Sequence, residues 1–192
     1  MKFAFLSLLI AVASTGVSSQ TQQAEAPIKT TLCEIKAHPE NFQHKLVEFT
    51  ATASHGFEDS MVESDQCTWA HPVPNPGVWM EFGGKQSTDT MYCCGFSPKP
   101  DRPDTLKIDN LEIPLVEDDM FRQFNSALHP KREKPGRSVT VEATMRGMIF
   151  AERAKLAKNI PEYWGGYGHM GCCMLFVVTQ VVSVGKTGNR PD

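Results

Sequence analysis

The sequence lacks the surplus of basic residues that most nucleic-acid-binding proteins carry. Its 192 residues include 19 lysines and arginines against 22 acidic residues, which gives a formal net charge of −3. A surface that binds phosphates needs a basic patch. The basic residues that cluster are typical of a solvated turn between a helix and a strand: Lys131, Arg132, Lys134 and Arg137. We therefore expect no nucleic-acid partner.

The chain also lacks the short motifs of common hydrolases and disulfide oxidoreductases. It contains no GxSxG or HExxH sequence. It has no CxxC pair, which thioredoxin-like enzymes place at the start of a helix. The adjacent acids Glu58-Asp59 and Asp118-Asp119 are explained by a solvated loop and by the first turn of a helix. No residue is predicted to be catalytic, and these observations favour a binding or structural protein over an enzyme.

Long apolar runs are missing except at the N-terminus. There Lys2 precedes an apolar run over residues 3–13 and small residues up to Ser19, the pattern of a secretory signal peptide. The run is shorter than the roughly 20 apolar residues that span a membrane. A lipoprotein anchor would need a cysteine directly after the run, and Cys33 lies too far downstream. We expect a soluble protein that is periplasmic or secreted.

The length predicts one domain with a sizeable core. We expect a signal peptide over residues 1–19, a disordered lead over 20–29, a single domain over 30–185 and a disordered tail over 186–192. Removal of the signal peptide takes away Lys2 and changes the formal charge from −3 to −4.

The six cysteines of an exported chain predict disulfides before metal ligands. Six cysteines can pair in about 15 ways. Adjacent cysteines bond each other only with severe strain, because their Cα atoms are held about 3.8 Å apart, below the usual disulfide range. The simplest hypothesis bonds Cys33 to Cys67 and joins one vicinal pair to the other. Those vicinal pairs are Cys93 with Cys94 and Cys172 with Cys173.

The hydrophobic periodicity predicts five main strands. Residues 45–54 and 138–149 alternate apolar and polar side chains, which indicates strands with one face in water. Residues 60–64 and 77–82 form two shorter candidates. Residues 172–184 are apolar on both faces, so this last strand should be central and covered on each side.

Helix and turn signals complete the predicted elements. Thr31 and Glu34 form a capping box for a short helix that should end before Pro39. Residues 117–128 begin with acids and place apolar residues at helical spacing. Asp109-Asn110 separates two short runs within residues 105–116, which predicts a hairpin. Residues 83–104 and 151–166 are left as connecting segments.

Three strands, a helix and two further strands follow the order of an OB-fold. We therefore predict a mainly β chain: a five-stranded OB-like Greek-key barrel with a helix between strands 3 and 4, a short N-terminal helix and an inserted hairpin. The alternative is another small β-barrel, or a sandwich with one helix.

Residues 166–171, which read GYGHMG before an apolar strand, are the most distinctive stretch of the chain. Further recognisable stretches are Leu32-Cys33, Asn41-Phe42, Lys45-Leu46-Val47, Asp65-Gln66-Cys67 and Val78-Trp79 with Phe82. Together they resemble a family of uncharacterised exported bacterial proteins with an OB-like fold. The resemblance covers most of the chain after the signal peptide. It implies the fold and export, and it implies no activity and no catalytic residue.

The same region holds soft donor atoms that suit copper or zinc. The candidates are His169, Met170, Cys172, Cys173 and Met174, with Met91, Cys93 and Cys94 as further donors. Neighbouring side chains on a strand point to opposite faces, and a disulfide removes the thiolate that a metal needs. These two arguments favour disulfides over a metal site. For His169 we favour a structural role, in which its ring nitrogens bond to backbone groups of a turn where Gly168 and Gly171 allow positive φ and a close approach.

The sequence therefore predicts an exported, disulfide-stabilised binding or structural module without a cofactor. OB-like modules often bind oligonucleotides or oligosaccharides, so an oligosaccharide, a peptide or a protein is the expected kind of partner. Tyr167, His169 and Trp79 are the candidate ligand-facing residues. The alternative is a copper- or zinc-binding protein that uses His169 and the vicinal cysteines, and an exported enzyme of unknown class is the third hypothesis.

Overall fold

The fold is described from a computed structural model over residues 26–56, 59–67, 77–88, 102–130, 137–155 and 162–191. The predicted signal peptide, Met91, Cys93, Cys94 and the basic residues 131–134 lie outside these ranges. Within them, the helices are all too short or too polar to cross a membrane.

The elements of this part of the chain are given in chain order. The strands are β1 (Ile28–Lys29), β2 (Leu46–Gly56), β3 (Asp59–Glu63), β4 (Gly77–Phe82), β5 (Lys107–Ile108), β6 (Leu111–Glu112), β7 (Arg137–Phe150), β8 (Glu152–Ala154), β9 (Tyr163–Gly165) and β10 (Cys173–Pro191). The α-helices are α1 (Leu32–Ala37) and α2 (Asp119–Leu128), and short 3₁₀ turns occupy Pro39–Asn41 and His169–Gly171.

Five strands close into a barrel in the order β2, β3, β4, β10, β7 and back to β2. The β4–β10 pair is parallel, with Gly77 opposite Cys173 and Phe82 opposite Val178. The other four pairs are antiparallel. With α2 between the third and fourth barrel strands, this is the topology of an OB-fold. The predicted fold class is confirmed.

The main core fills the barrel with the inward residues of each strand. β2 contributes Val47 and Phe49, and β4 contributes Met80 and Phe82. Both helices cover this core with apolar side chains: Leu32 and Ile35 from α1, and Phe121, Phe124 and Leu128 from α2.

Side chains cap the starts of both helices, although only one of the two hydrogen bonds of the predicted capping box forms at α1. The Glu34 N–H donates to the Thr31 hydroxyl at 3.1 Å, and α1 ends at Ala37 before Pro39. The Glu34 carboxylate accepts a hydrogen bond from the Thr30 hydroxyl at 3.0 Å. In α2 the carboxylate of Asp118 accepts from the Phe121 N–H at 2.9 Å.

A second apolar cluster, here called the outer cluster, lies outside the barrel wall. Its members on the wall are Trp79, Phe150, Cys173, Leu175 and Val177, and the residues that cover them are Leu106, Ile108, Ile113 and Tyr167. The inserted hairpin β5–β6 and the GYGHMG stretch thus lie over the outer face of β4 and β10. β10 is buried on both faces here, as predicted for the last strand.

Three segments differ from the sequence prediction. Residues 186–191 were predicted as a disordered tail, but β10 continues to Pro191 because β7 starts at Arg137 and pairs with this end. The predicted lead includes Ile28–Lys29, which forms β1 parallel to Val47 and Glu48. The connector 151–166 contains the β8–β9 hairpin. Strands of two or three residues are too short to show a hydrophobic period.

Candidate functional site

The GYGHMG stretch forms the tight turn that leads into β10. Gly166, Gly168 and Gly171 have φ angles of 98°, 73° and 71°, which favour glycine. A Cβ atom at position 168 would lie 2.8 Å from Trp79 Cε3, so this turn requires glycine for a second reason. The predicted close approach at Gly168 is therefore present, and its partner is the Trp79 ring.

Cys172 and Cys173 are bonded to each other, with Cα atoms 3.7 Å apart. The predicted disulfide from this pair to Cys93 and Cys94 is therefore wrong. Cys172 precedes the strand and has a helical backbone with φ −61° and ψ −25°, and β10 begins at Cys173. The rule that neighbouring strand side chains point to opposite faces does not apply to a residue outside the strand.

The vicinal disulfide has one buried and one accessible end. Cys173 is 3% exposed, and its backbone exchanges two hydrogen bonds with Tyr167 at 2.8 and 2.9 Å. A Cβ atom at Gly77 would lie 2.8 Å from Cys173 Sγ, so glycine provides the space for this sulfur. Cys172 is half-buried at the edge of the outer cluster.

The candidate metal ligands are only partly brought together. His169 is exposed, and Met170 belongs to the same turn. Met174 lies in the main core on the other side of β10. The cysteines of the oxidised pair supply no thiolate. In the described part of the chain, no group of three or more histidine, cysteine or acidic side chains is arranged to hold a metal ion.

Trp79 and Tyr167, two candidate ligand-facing residues, are buried in the outer cluster. Burial, with the charges of Asp109 and Glu152, raises the pKa of Tyr167 to about 12. His169 is the member of this set that faces solvent. OB-folds often bind ligands on the outer side of their second and third strands, here β3 and β4, and the chain's own hairpin and turn cover the β4 part of that face.

The predicted Cys33–Cys67 disulfide is present, with a Cα–Cα distance of 5.1 Å. It joins α1 to the segment that follows β3, across a sequence separation of 34. Leu32, next to Cys33, and Gln66, next to Cys67, both line an open groove, so this disulfide connects two walls of the groove.

An open groove of about 340 Å³ lies beside this disulfide. Its walls come from the start of α1, the middle of β2, the segment after β3 and one residue of β7. The lining residues are Thr30, Thr31, Leu32, Thr50, Ala51, Thr52, Glu63, Ser64, Asp65, Gln66 and Glu142. The alternation of residues 45–54 predicts a polar strand face, which includes Thr50 and Thr52, but it does not predict the groove.

The groove lies where the hydrogen-bonded ladder on one side of β2 is interrupted. β7 pairs with the whole of residues 46–55, so β1 and β3 must share the other side of β2. On that side, β1 pairs as far as Glu48 and β3 pairs from Thr52 onward. At Thr50, within the described ranges, β2 is paired with neither strand.

Three carboxylates give the groove its charge. Glu63, Asp65 and Glu142 line it, and the lining set contains no lysine or arginine. Lys36 interacts with Glu63 from outside the groove, and burial lowers the pKa of this lysine. The carboxylates of Asp65 and Glu142 would attract a cationic ligand in the groove.

A buried ion pair fastens the insertion that follows β4. Arg102 Nη2 lies 2.9 Å from Glu81 Oε1, and the same oxygen accepts from the backbone N–H groups of Phe82 and Thr88. Burial raises the pKa of Glu81, although Arg102 opposes this shift. All of these partners are internal, so the pair has a structural role.

Two imidazole rings meet at the end of β2. The ring centroids of His55 and His129 are 4.3 Å apart. Burial, and then the charge of His129, lower the pKa of His55 to about 4. His55 is therefore a neutral, half-buried side chain near neutral pH.

Comparisons of the chain with protein-family models, with curated proteins and with solved structures found no match, so no function is carried over from a relative.

Proposed function

We propose that this chain is an exported, disulfide-stabilised binding module whose ligand lies in the groove beside Cys33–Cys67. The groove itself is the observation that carries the proposal, since its volume is in the range of small-ligand sites. The signal-peptide pattern of residues 1–19 and the Cys33–Cys67 disulfide support export, because such disulfides persist in oxidising compartments.

The ladder interruption at Thr50 favours an extended peptide as the ligand. A peptide can hydrogen-bond to a strand edge that has no partner, which is how many peptide-binding domains work. The gap between Glu48 and Thr52 is short, so it suits a segment of about two or three residues at 3.3 Å each. The hydroxyls of Thr30, Thr31 and Thr52 are further hydrogen-bonding groups along the groove.

The charge of the groove selects the side chain of that peptide. Asp65 and Glu142 favour a lysine or an arginine and repel an anion. The same charge disfavours the phosphates of nucleic acids. The ligand we propose is therefore a short extended peptide segment with a basic side chain.

The test is an NMR titration of the chain without its signal peptide, with trilysine, triglutamate and a glucosamine trimer as probes. We expect trilysine to shift the backbone amides of Thr50, Thr52 and Asp65, while triglutamate leaves them unchanged. The double variant Asp65→Asn with Glu142→Gln should weaken trilysine binding about tenfold, because it removes two attractive charges.

Glu112→Gln is the matched control, because it removes one exposed acid on β6, away from the groove. It should leave the titration unchanged. The peptide proposal fails if trilysine shifts none of these three amides. It also fails if the glucosamine trimer binds there and trilysine does not, since the module would then be a saccharide binder.

We keep soft-metal binding as a second proposal because of one feature of the 3₁₀ turn. The Cys172 N–H donates to the His169 carbonyl at 3.2 Å, so these residues are one turn apart and lie on the same side. After reduction of the vicinal pair, His169 and the two thiols would be copper or zinc ligands. Stoichiometric metal in the reduced protein, lost on His169→Ala, supports this proposal; its absence contradicts it.

A further inference from the structure

The two disulfides of the described chain differ in what they can do for stability. Cys33–Cys67 closes a loop between residues 34 positions apart and so constrains the unfolded chain. Cys172–Cys173 joins neighbours and closes no loop beyond its own ring. Loop-closure entropy therefore gives this second bond almost no stabilising role, and its presence calls for a different explanation.

The adjacency of the two cysteines makes their bond easier to reduce than an ordinary disulfide. The peptide between them holds the Cα atoms 3.7 Å apart. Disulfides usually join Cα atoms about 4.4–6.8 Å apart, and departures from this range favour reduction. The Cα atoms of Cys33 and Cys67 lie 5.1 Å apart, within the usual range.

The packing makes the two cysteines unequal in exposure. Cys173 is buried in the outer cluster, under Gly77 and the backbone of Tyr167. Cys172 lies outside the strand, is half-buried and follows the exposed His169 turn. Cys172 is the more exposed of the two residues, so we expect a thiolate from solvent to attack its sulfur in preference to that of Cys173.

We propose that Cys172–Cys173 is a site of thiol–disulfide exchange for a dithiol, and that Cys172 is the sulfur attacked. The first thiolate of the dithiol bonds to Cys172 Sγ and breaks the bond to Cys173, whose sulfur leaves with the electron pair and takes up a proton. The second thiolate then attacks the dithiol's own sulfur in the mixed disulfide and releases Cys172 as a thiolate, which takes up the second proton. The dithiol is oxidised to a disulfide, and the vicinal pair gains two electrons and two protons.

The burial of Cys173 explains why the partner should be a dithiol. A sulfur released into apolar surroundings is favoured as the neutral thiol, which is a poor nucleophile. Cys173 is thus slow to reattack the mixed disulfide on Cys172. A monothiol should stop at this adduct, and a dithiol should complete the reaction.

The experiment uses the oxidised chain purified from the exporting compartment. Samples are treated with dithiothreitol or with glutathione, blocked with N-ethylmaleimide at intervals and mapped by peptide mass spectrometry. We expect dithiothreitol to reduce Cys172–Cys173 at least about tenfold faster than Cys33–Cys67, and glutathione to accumulate on Cys172.

The double variant Cys172→Ala with Cys173→Ala is the control. It should lose the fast phase and keep the slow reduction of Cys33–Cys67. The proposal is overturned by a rate ratio below tenfold or by glutathione on Cys173. It is equally overturned if the peptide map links Cys172 or Cys173 to the peptide with Cys93 and Cys94. None of these outcomes depends on the groove, so the peptide-binding proposal stands or fails separately.

Discussion

The side chains of Arg102 and Glu81 are only 8% and 4% exposed, so their ion pair lies in a region of low dielectric. Removal of one partner leaves the other charge buried and unpaired. We expect Arg102→Ala to lower the free energy of unfolding by about 3–5 kcal/mol. Urea denaturation at neutral pH measures this change.

The control for Arg102→Ala removes both charges at once. Glu81→Gln combined with Arg102→Met keeps similar volumes and leaves no unpaired charge, so it should recover most of the lost stability. If the double variant is as unstable as Arg102→Ala, the loss is due to packing or to the hydrogen bonds that Arg102 donates to the carbonyls of Phe82 and Gly84, and not to the unpaired charge.

His55 provides a pH dependence whose sign follows from its environment. Its pKa is about 4 in the folded chain against an ordinary value of 6.5. The unfolded chain therefore binds a proton more readily, and stability falls as the pH drops from about 6.5 to about 4. The loss has an upper limit of about 3 kcal/mol, and nothing changes for this group above pH 7.

The measurement for His55 is the urea midpoint as a function of pH, for the unchanged chain and for His55→Gln. The difference between the two curves isolates this one side chain from the carboxylates that titrate in the same range. This difference in urea midpoint should be constant above pH 7 and should change with pH between 6.5 and 4. Parallel curves throughout would show that His55 does not titrate differently in the folded chain.

At the level of elements, the Cys33–Cys67 bond ties α1 to the segment after β3. We expect Cys33→Ser with Cys67→Ser to lower the free energy of unfolding by about 3–4 kcal/mol, as the chain-entropy relation gives for a loop of this length. The shift in the urea midpoint measures the effect. The same variant should weaken trilysine binding, because the walls of the groove lose their connection.

The vicinal pair is the matched control for this prediction. Cys172→Ala with Cys173→Ala removes a disulfide but no closed loop, so it should cost only about 1 kcal/mol, from the packing of one buried sulfur. Equal losses for the two double variants would contradict the assignment of Cys33–Cys67 as the stabilising bond.

Most elements were predictable because their signals are local. The alternation in β2 and β7, the Asp118 cap of α2 and the Asp109-Asn110 turn each depend on a few neighbouring residues. Both turn residues have the positive φ that a tight hairpin requires, 49° and 64°. β1, β8 and β9 were missed because two or three residues carry no period, and pairing with a distant strand decides whether they form.

At the level of the whole molecule, the barrel has two apolar layers instead of one. The inner layer fills the barrel, and the outer cluster buries the far side of β4 and β10 beneath the β5–β6 hairpin and the GYGHMG turn. This second layer covers the β4 part of the face on which OB-folds usually bind ligands. The groove at Thr50 lies elsewhere on the barrel, beside β1 and the end of β3.

Local features of the sequence were enough to predict the order of the barrel strands and helix, the starts of both helices and the hairpin turn, and the hypothesis that Cys33 bonds Cys67 is confirmed. The elements follow from local periodicity and from turn chemistry, whereas the exclusion of strained cysteine pairs was wrong for Cys172 and Cys173. Contacts between distant segments set the partner of Cys172, the covering of Trp79 and the shape of the groove. The partner of Cys172 and the groove depend on where a strand begins or stops pairing. β10 starts at Cys173, so Cys172 lies outside the strand. On one side of β2, pairing stops at Glu48 and resumes at Thr52. Such limits are set by contacts between distant segments, which no local pattern of residues encodes.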